Sequence, residues 1–173
     1  MKHIFLLFLI SLSTCCFSQK LILDKGFKNT VSGYEIAVMV VNKDNNTLNQ
    51  PLTQGVSDIL QNVKGYIANP SFFNTDFIKD GSFEKIFKAE KFNIKKLHLS
   101  EHLDFICLGK YKVNDISKNE YDLFRADVTM QLNVIDAKSG AVIDSRVYTD
   151  KGTGVTKSDA ESNGRNKLLE QLK

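Results

Sequence analysis

The five residues His98-Leu-Ser-Glu-His102 fit the H-x-x-E-H pattern of inverted zinc proteases, in which two imidazoles one helical turn apart share a metal ion beside a glutamate. The context argues against it. The segment is short, a strand pattern begins two residues later, and the distant acids Glu161 and Glu170 carry no motif for a third ligand. A metal-dependent hydrolase using His98, Glu101 and His102 is therefore kept as an alternative reading, while the principal reading assigns no catalytic, cofactor or metal residue and expects no cofactor. Carboxylate pairs such as Asp104 and Asp127 have no evident reason to converge and read as solvated surface. The chain has no Gly-x-Ser-x-Gly elbow, no phosphate loop ending in Gly-Lys-Ser/Thr and no Cys-x-x-Cys, and Gly152-Thr-Gly154 reads as a turn.

The three cysteines divide by context. Cys107 lies inside Phe105-Ile-Cys-Leu108, where an isolated thiol is packing material. Cys15 and Cys16 belong to an export segment over residues 1–19, with Lys2 and His3 as a positive start and an apolar run at 4–12 far shorter than the ~20 residues of a membrane span. Two endings are open. Cys16 and Ser18 are small side chains spaced as an ordinary signal peptidase requires, whereas Leu12-Ser13-Thr14-Cys15 resembles a lipobox and makes Cys15 the lipidation candidate. The protein is thus expected in the periplasm or secreted, and held at the outer membrane only if Cys15 carries lipid.

Of 173 residues, 42% are hydrophobic and 25% charged, with two prolines, a composition that excludes disordered and collagen-like classes. A chain of this size hides roughly 70% of its surface on folding and needs no disulfide framework. The net charge of +3 is too small to imply a nucleic-acid partner or an anionic membrane surface.

The elements that must position these residues follow from periodicity. After a lead-in at 20–33, with at most a short strand at 21–23, Tyr34-Glu-Ile-Ala-Val-Met-Val-Val41 is a β-branched apolar run expected as a central strand buried on both faces. A polar loop at 42–47 precedes a helix from about 48 or 49 to 63, with Pro51 in its first turn. A short strand near 66–68 follows. Residues 71–92 hold six of the nine phenylalanines outside the export segment, and Phe73/Phe77 and Phe83/Phe87 are each four apart, stacking on two helical pieces separated by Gly81. Core packing is the expected role of these rings. The sharper one is a contact surface, with Phe72, Phe73 and Phe77 as partner-contact candidates. Lys85, Lys88 and Lys91 form the solvated side.

A short helix at 94–102 leads to a strand at 104–113, a polar turn at 114–120, and residues 124–134, which alternate without error as a long antiparallel strand with one dry and one wet face. Asp136-Ala-Lys-Ser-Gly140 turns the chain into a partner strand at 141–149, which Gly152 and Gly154 end. Ser158-Asp-Ala-Glu161 has capping-box spacing for a final helix to Leu172, weakened by Asn163-Gly164. The fold class is α+β: one domain at 34–173, a mixed β-sheet with a long antiparallel C-terminal hairpin, helices packed on its apolar face, and a C-terminal helix.

In this order the chain resembles the small exported α/β domain shared by the periplasmic part of the curli secretion channel, the lipoprotein activator of penicillin-binding proteins, and the amino-terminal domain of the Tol-Pal translocation protein. The similarity lies in Ile36-Ala-Val-Met-Val-Val41 followed by a helix at 54–62, in His102-Leu-Asp-Phe-Ile-Cys-Leu-Gly-Lys110, and in Leu132-Asn-Val-Ile-Asp-Ala-Lys-Ser-Gly-Ala-Val142. No segments suit the membrane hairpins of a channel subunit. What the resemblance implies is a non-enzymatic envelope accessory or assembly factor that binds another envelope protein, with self-association open and no catalytic residue carried over. A small-ligand carrier with a Phe-lined pocket is the third reading.

Overall fold

A computed structural model describes residues 22–30 and 33–173. The chain runs β1 (Glu35–Asn42), β2 (Thr47–Leu48), α1 (Gln50–Asn62), β3 (Ile67–Asn69), α2 (Asp76–Lys79), α3 (Ser82–Phe87) and α4 (Lys91–Lys96). A 3-10 turn at Leu99–Glu101 then precedes β4 (Phe105–Lys118), β5 (Phe124–Asp136), β6 (Val142–Gly154) and α5 (Lys157–Leu172). The sheet order is β2-β1-β4-β5-β6, with β3 also pairing β1, so the architecture is the expected α+β fold with a mixed sheet.

β1 is the hub because six successive residues, Ile36 to Val41, are fully buried. Its carbonyls and amides run parallel to β4 (Val38↔Cys107) and β3 (Ile36↔Ala68) and antiparallel to β2 (Val41↔Leu48). Alternate side chains enter two cores. Ile36, Val38 and Val40 join Tyr111, Met130 and Leu132 beneath α1 and α5, whereas Ala37, Met39 and Val41 join Ile106, Leu108 and the phenylalanines of α2 and α3. Helices therefore cover both faces over β1 and β4. On the β5–β6 half only the α5 face is dry, as the alternation of β5 requires.

Local chemistry explains the helix starts. Asn49 caps α1 by accepting from Leu52 N–H at 3.1 Å, and Pro51 sits in the first turn, where no amide is needed. The start of α5 differs from the expected Ser158/Glu161 box. Thr156 is the cap, with extended backbone, and it exchanges hydrogen bonds with Asp159: Asp159 N–H to Thr156 Oγ1 and Thr156 N–H to Asp159 Oδ2, both 3.1 Å. The same S/T-x-x-acid spacing occurs twice within six residues, and the strand's exit selects the earlier one.

β4 and β6 both outrun the sequence expectation. β4 continues to Lys118, so the hairpin tip lies at 119–123 and residues 114–118, expected as part of the turn, are strand. Gly152 and Gly154 do not end β6. They are strand residues over which α5 crosses: a β-carbon on Gly154 would lie 2.5 Å from Ala160 N, and one on Gly152 would lie 2.2 Å from Gly164 N. Gly164, expected to weaken α5, is buried at that crossing.

The free edge of β6 is occupied by polar side chains from α5. Asn163, Lys167 and Gln171, one helical turn apart, donate to the carbonyls of Thr153 (2.8 Å), Lys151 (2.8 Å) and Thr149 (3.1 Å). Four residues of helix rise about 6 Å and two of strand about 6.7 Å, so the two ladders stay in step for three rungs.

No strand forms among the described lead-in residues. Instead Ile22 and Leu23 are buried, Leu23 N–H donates to Asp144 Oδ2 (2.6 Å), Tyr148 Oη donates to Leu23 O (3.1 Å) and Gly26 N–H donates to Lys173 O (3.1 Å). The lead-in is a strap across β6.

Candidate functional site

The H-x-x-E-H residues lie on a different element from the one the spacing supposed. The segment expected as one helix at 94–102 is α4 followed by a single 3-10 turn, entered through His98 at φ 52° in the left-handed region. That break cancels the one-turn stacking of two imidazoles. His98 Nδ1 pairs instead with Glu101 Oε1 at 2.8 Å, with both side chains largely in solvent. Among the described residues no group of three or more His, Cys, Asp or Glu could hold a metal ion. Asp104 and Asp127 stand near opposite ends of the hairpin: Asp104 faces Ala137, ten residues from Asp127 along β5, or roughly 33 Å of strand. Cys15 lies outside the described residues.

The aromatic segment builds a continuous chain of rings. Phe72 meets Phe73 edge-on (centroids 5.0 Å), Phe73 stacks on Phe77 (4.0 Å), Phe77 meets Phe83 (6.5 Å), and Phe83 stacks on Phe87 (5.8 Å). The Phe83/Phe87 stack forms within α3 as the four-residue spacing predicts, whereas Phe73 lies in the bend before α2 and reaches Phe77 from outside the helix; Gly81 at φ 78° separates α2 from α3 so that the two fold against each other. Four rings are core: Phe73 and Phe77 are 7% and 8% exposed, and Phe83 and Phe87 no more. Phe72 alone of these five is half-buried, at the rim. Lys110 closes the far end, 4.5 Å over the Phe87 ring and 2.7 Å from Glu84.

Phe72 and His102 form a ridge between two hollows. On one side lies an apolar recess of about 310 Å³ walled by Phe73, Phe77, Leu97 and Leu99, with Asp76 and Asp80 at its lip. On the other is a polar hollow of about 620 Å³ lined by Glu35, Asn69, Glu101, Asp104 and Lys138. The starts of β1, β3 and β4 lie side by side here because the three strands are parallel with β1 between the other two, and β3 is so short that its last residue, Asn69, pairs only two positions into β1, with Ala37. Asp104 is locked in place, its Oδ2 accepting Glu35 N–H at 3.0 Å. Hydrogen bonds from the Ser82 backbone and side chain hold the Asp80 carboxyl below the usual carboxylate range, so it is ionised at neutral pH.

A second polar cluster went unseen in the sequence. Lys64 is fully buried and its ammonium donates to Asp24 O at 2.8 Å; desolvation lowers its pKa against the opposing pull of Asp24 and Asp144. Asp144, 3% exposed, lies 3.4 Å from Arg146 Nε, and Arg146 also pairs with Asp24. Burial, with Asp144 adding to it, pushes the Cys107 thiol up to about 12 and the Tyr148 hydroxyl above its ordinary range. Such a thiol has almost no thiolate at neutral pH, and Cys107 is core. Nothing in the pattern around Lys64, at the end of an amphipathic helix, marks it as buried.

The family model TP0693-like lipoprotein, C-terminal domain, matches residues 33–172. The chain belongs to this family. Among solved structures, lipoprotein GNA1162 from Neisseria meningitidis is 15% identical with a TM-score of 0.52, covering 81% of this chain and 95% of its own. The hypothetical protein CT253 from Chlamydia trachomatis is 8% identical with a TM-score of 0.56, covering 82% and 94%. At these identities the likeness shows the fold. No curated protein matches in sequence. What the first resemblance implied is supported at the coarser level of an exported, lipoprotein-like α/β domain. Among the described residues no helix is long and apolar enough to cross a membrane.

Proposed function

We propose that this family member is a non-catalytic accessory module of the cell envelope, tethered through lipid on Cys15, that works by holding another envelope protein. The observation that carries this reading is the half-open aromatic hollow at Phe72. Its rings are stacked into a rigid floor, yet one large ring and the neighbouring Leu97, 40% exposed, are left facing solvent. A rigid apolar floor with a polar border is what a protein contact uses. An enclosed carrier pocket would bury most of its ligand, and this recess, at about 310 Å³ and open, is at the lower limit for that task. The resemblance to envelope assembly domains supports the same reading.

The test is photo-crosslinking in the native envelope. A crosslinking side chain at position 72 is expected to trap one envelope protein, and the same group at position 157 to trap none. No adduct from position 72 in intact cells overturns the proposal. Mass spectrometry of the processed chain checks the tether: lipid on Cys15 is expected, and an unmodified chain released into the soluble fraction excludes it.

A further inference from the structure

We infer that the paired hollows at Phe72 recognise a cationic segment of the partner protein carrying an aliphatic or aromatic anchor side chain. The inference rests on the protein-binding reading and gives it a chemistry.

The charge around the ridge runs against that of the molecule. The chain has a net charge of +3, yet the residues lining the two hollows include Glu35, Asp76, Asp80, Glu101 and Asp104 with Lys138 as the one lysine among them, and only Lys79 and Lys85 stand close behind Asp76 and Asp80. These carboxylates are placed. Asp104 and Asp80 accept backbone amides of Glu35 and Ser82, at 3.0 and 2.8 Å, which fixes their orientation without neutralising them. The exposed pairs that Asp76 makes with Lys79 (3.4 Å) and Glu101 with His98 (2.8 Å) are solvent-screened and exchangeable. Between the acids lies an apolar recess of side-chain dimensions, and the half-buried Phe72 ring, which borders both hollows, is apolar surface against which an alkyl stem can pack. A lysine or arginine in the polar hollow and an adjacent Leu, Ile or Phe in the recess satisfy both halves at once. An anionic partner would meet five like charges, and a purely apolar one would leave the carboxylates desolvated and unpaired.

Fluorescence anisotropy on the full processed chain tests this with three labelled peptides of one length: lysines interleaved with leucine and phenylalanine, the same peptide with Glu for every Lys, and the Lys peptide with Ser for every apolar residue. Only the first is expected to bind, with affinity falling about tenfold in Phe72→Ser and again in Asp80→Lys/Glu101→Lys, and weakening as salt rises from about 50 to 300 mM. These side chains are at the rim, so melting temperatures close to the parent's confirm that the variants fold. Equal binding of the Glu peptide, or of the Ser peptide, overturns the inference. So does undiminished crosslinking from position 72 in the Asp80→Lys/Glu101→Lys chain, a result that leaves the protein-binding reading standing; absence of any adduct in the parent removes that reading instead.

Discussion

Gly152 of β6 and Ala160 of α5 approach so closely that a β-carbon on Gly152 would lie 1.9 Å from the Ala160 carbonyl oxygen. Backbone meets backbone there, and no rotamer change relieves the clash. Gly152→Ala is therefore expected to cost about 3 kcal/mol or more by urea denaturation, because α5 must lift from the sheet. Gly55→Ala provides the contrast. Its new methyl meets only the tip of Leu169, at 2.5 Å, and a helix-interior glycine gains about 1 kcal/mol of propensity, so the net change is expected within about 1 kcal/mol. Equal losses in the two variants would refute the crossing argument.

The strap depends on Asp144. Its buried carboxylate accepts Leu23 N–H and faces Arg146, so Asp144→Ala strands a buried amide. A loss of about 3 kcal/mol is expected, with hydrogen exchange at the Leu23 amide accelerating well before that of β5. Exchange at Leu23 unchanged from the parent would show that the strap is held by burial alone.

Replacing Asn163, Lys167 and Gln171 together by Ala removes the three exposed hydrogen bonds to the edge and the one from Gln171 to Asp150, about 2 kcal/mol in all, and frees the carbonyls of Thr149, Lys151 and Thr153. An unpaired 13-residue edge then invites strand addition. Light scattering should show a mass that grows with concentration faster than the parent's; coincident curves would mean that these side chains do not guard the edge.

Stability should fall on the alkaline side. Cys107 ordinarily ionises at 9.0 and here at about 12, and Tyr66, ordinarily at 10.0, is likewise pushed to about 12 by burial. Tyr111 and Tyr148 shift in the same direction. Each acid keeps its proton longer when folded, so its contribution is complete below the unfolded value and is lost as pH climbs to the folded one. Lys64 acts oppositely: its lowered folded pKa makes the unfolded chain the better proton binder as pH approaches 10.5. Four acids outweigh one base. The unfolding free energy, followed through denaturation midpoints, is expected to decline from pH 9 to 12 by about 1.4 kcal/mol per pH unit for each net proton, and Cys107→Ala should flatten the onset near pH 9. A parent midpoint that stays level through this window would rule the linkage out.

Much of the scaffold was legible in local pattern. The unbroken run at residues 36–41 announced a strand covered on both faces, the alternation at 124–134 a half-wet one, and Gly140, at φ 70°, the hairpin loop between β5 and β6. The candidate site was legible only in part. The Phe83/Phe87 stack follows from four-residue spacing on α3, but the Phe73/Phe77 stack is made by a bend before α2, and which ring stays at the surface depends on α2 and α3 folding back over Met39 and Leu108. His98 and His102 failed as a pair because a left-handed residue interrupts the helix their spacing presupposed.

By itself the sequence determined the long elements, their order and the export class, since hydrophobic period and leader composition are properties of neighbouring residues. Tertiary structure alone decided that Gly152 is a helix crossing, that Lys64 and Asp144 are buried, that Phe72 and His102 divide two acidic hollows, and that the lead-in is part of the core. Leu23 and Asp144 are 121 residues apart in sequence. A contact over that distance leaves no period in either segment, because its energy depends on how the sheet brings the strands together and not on what flanks each residue.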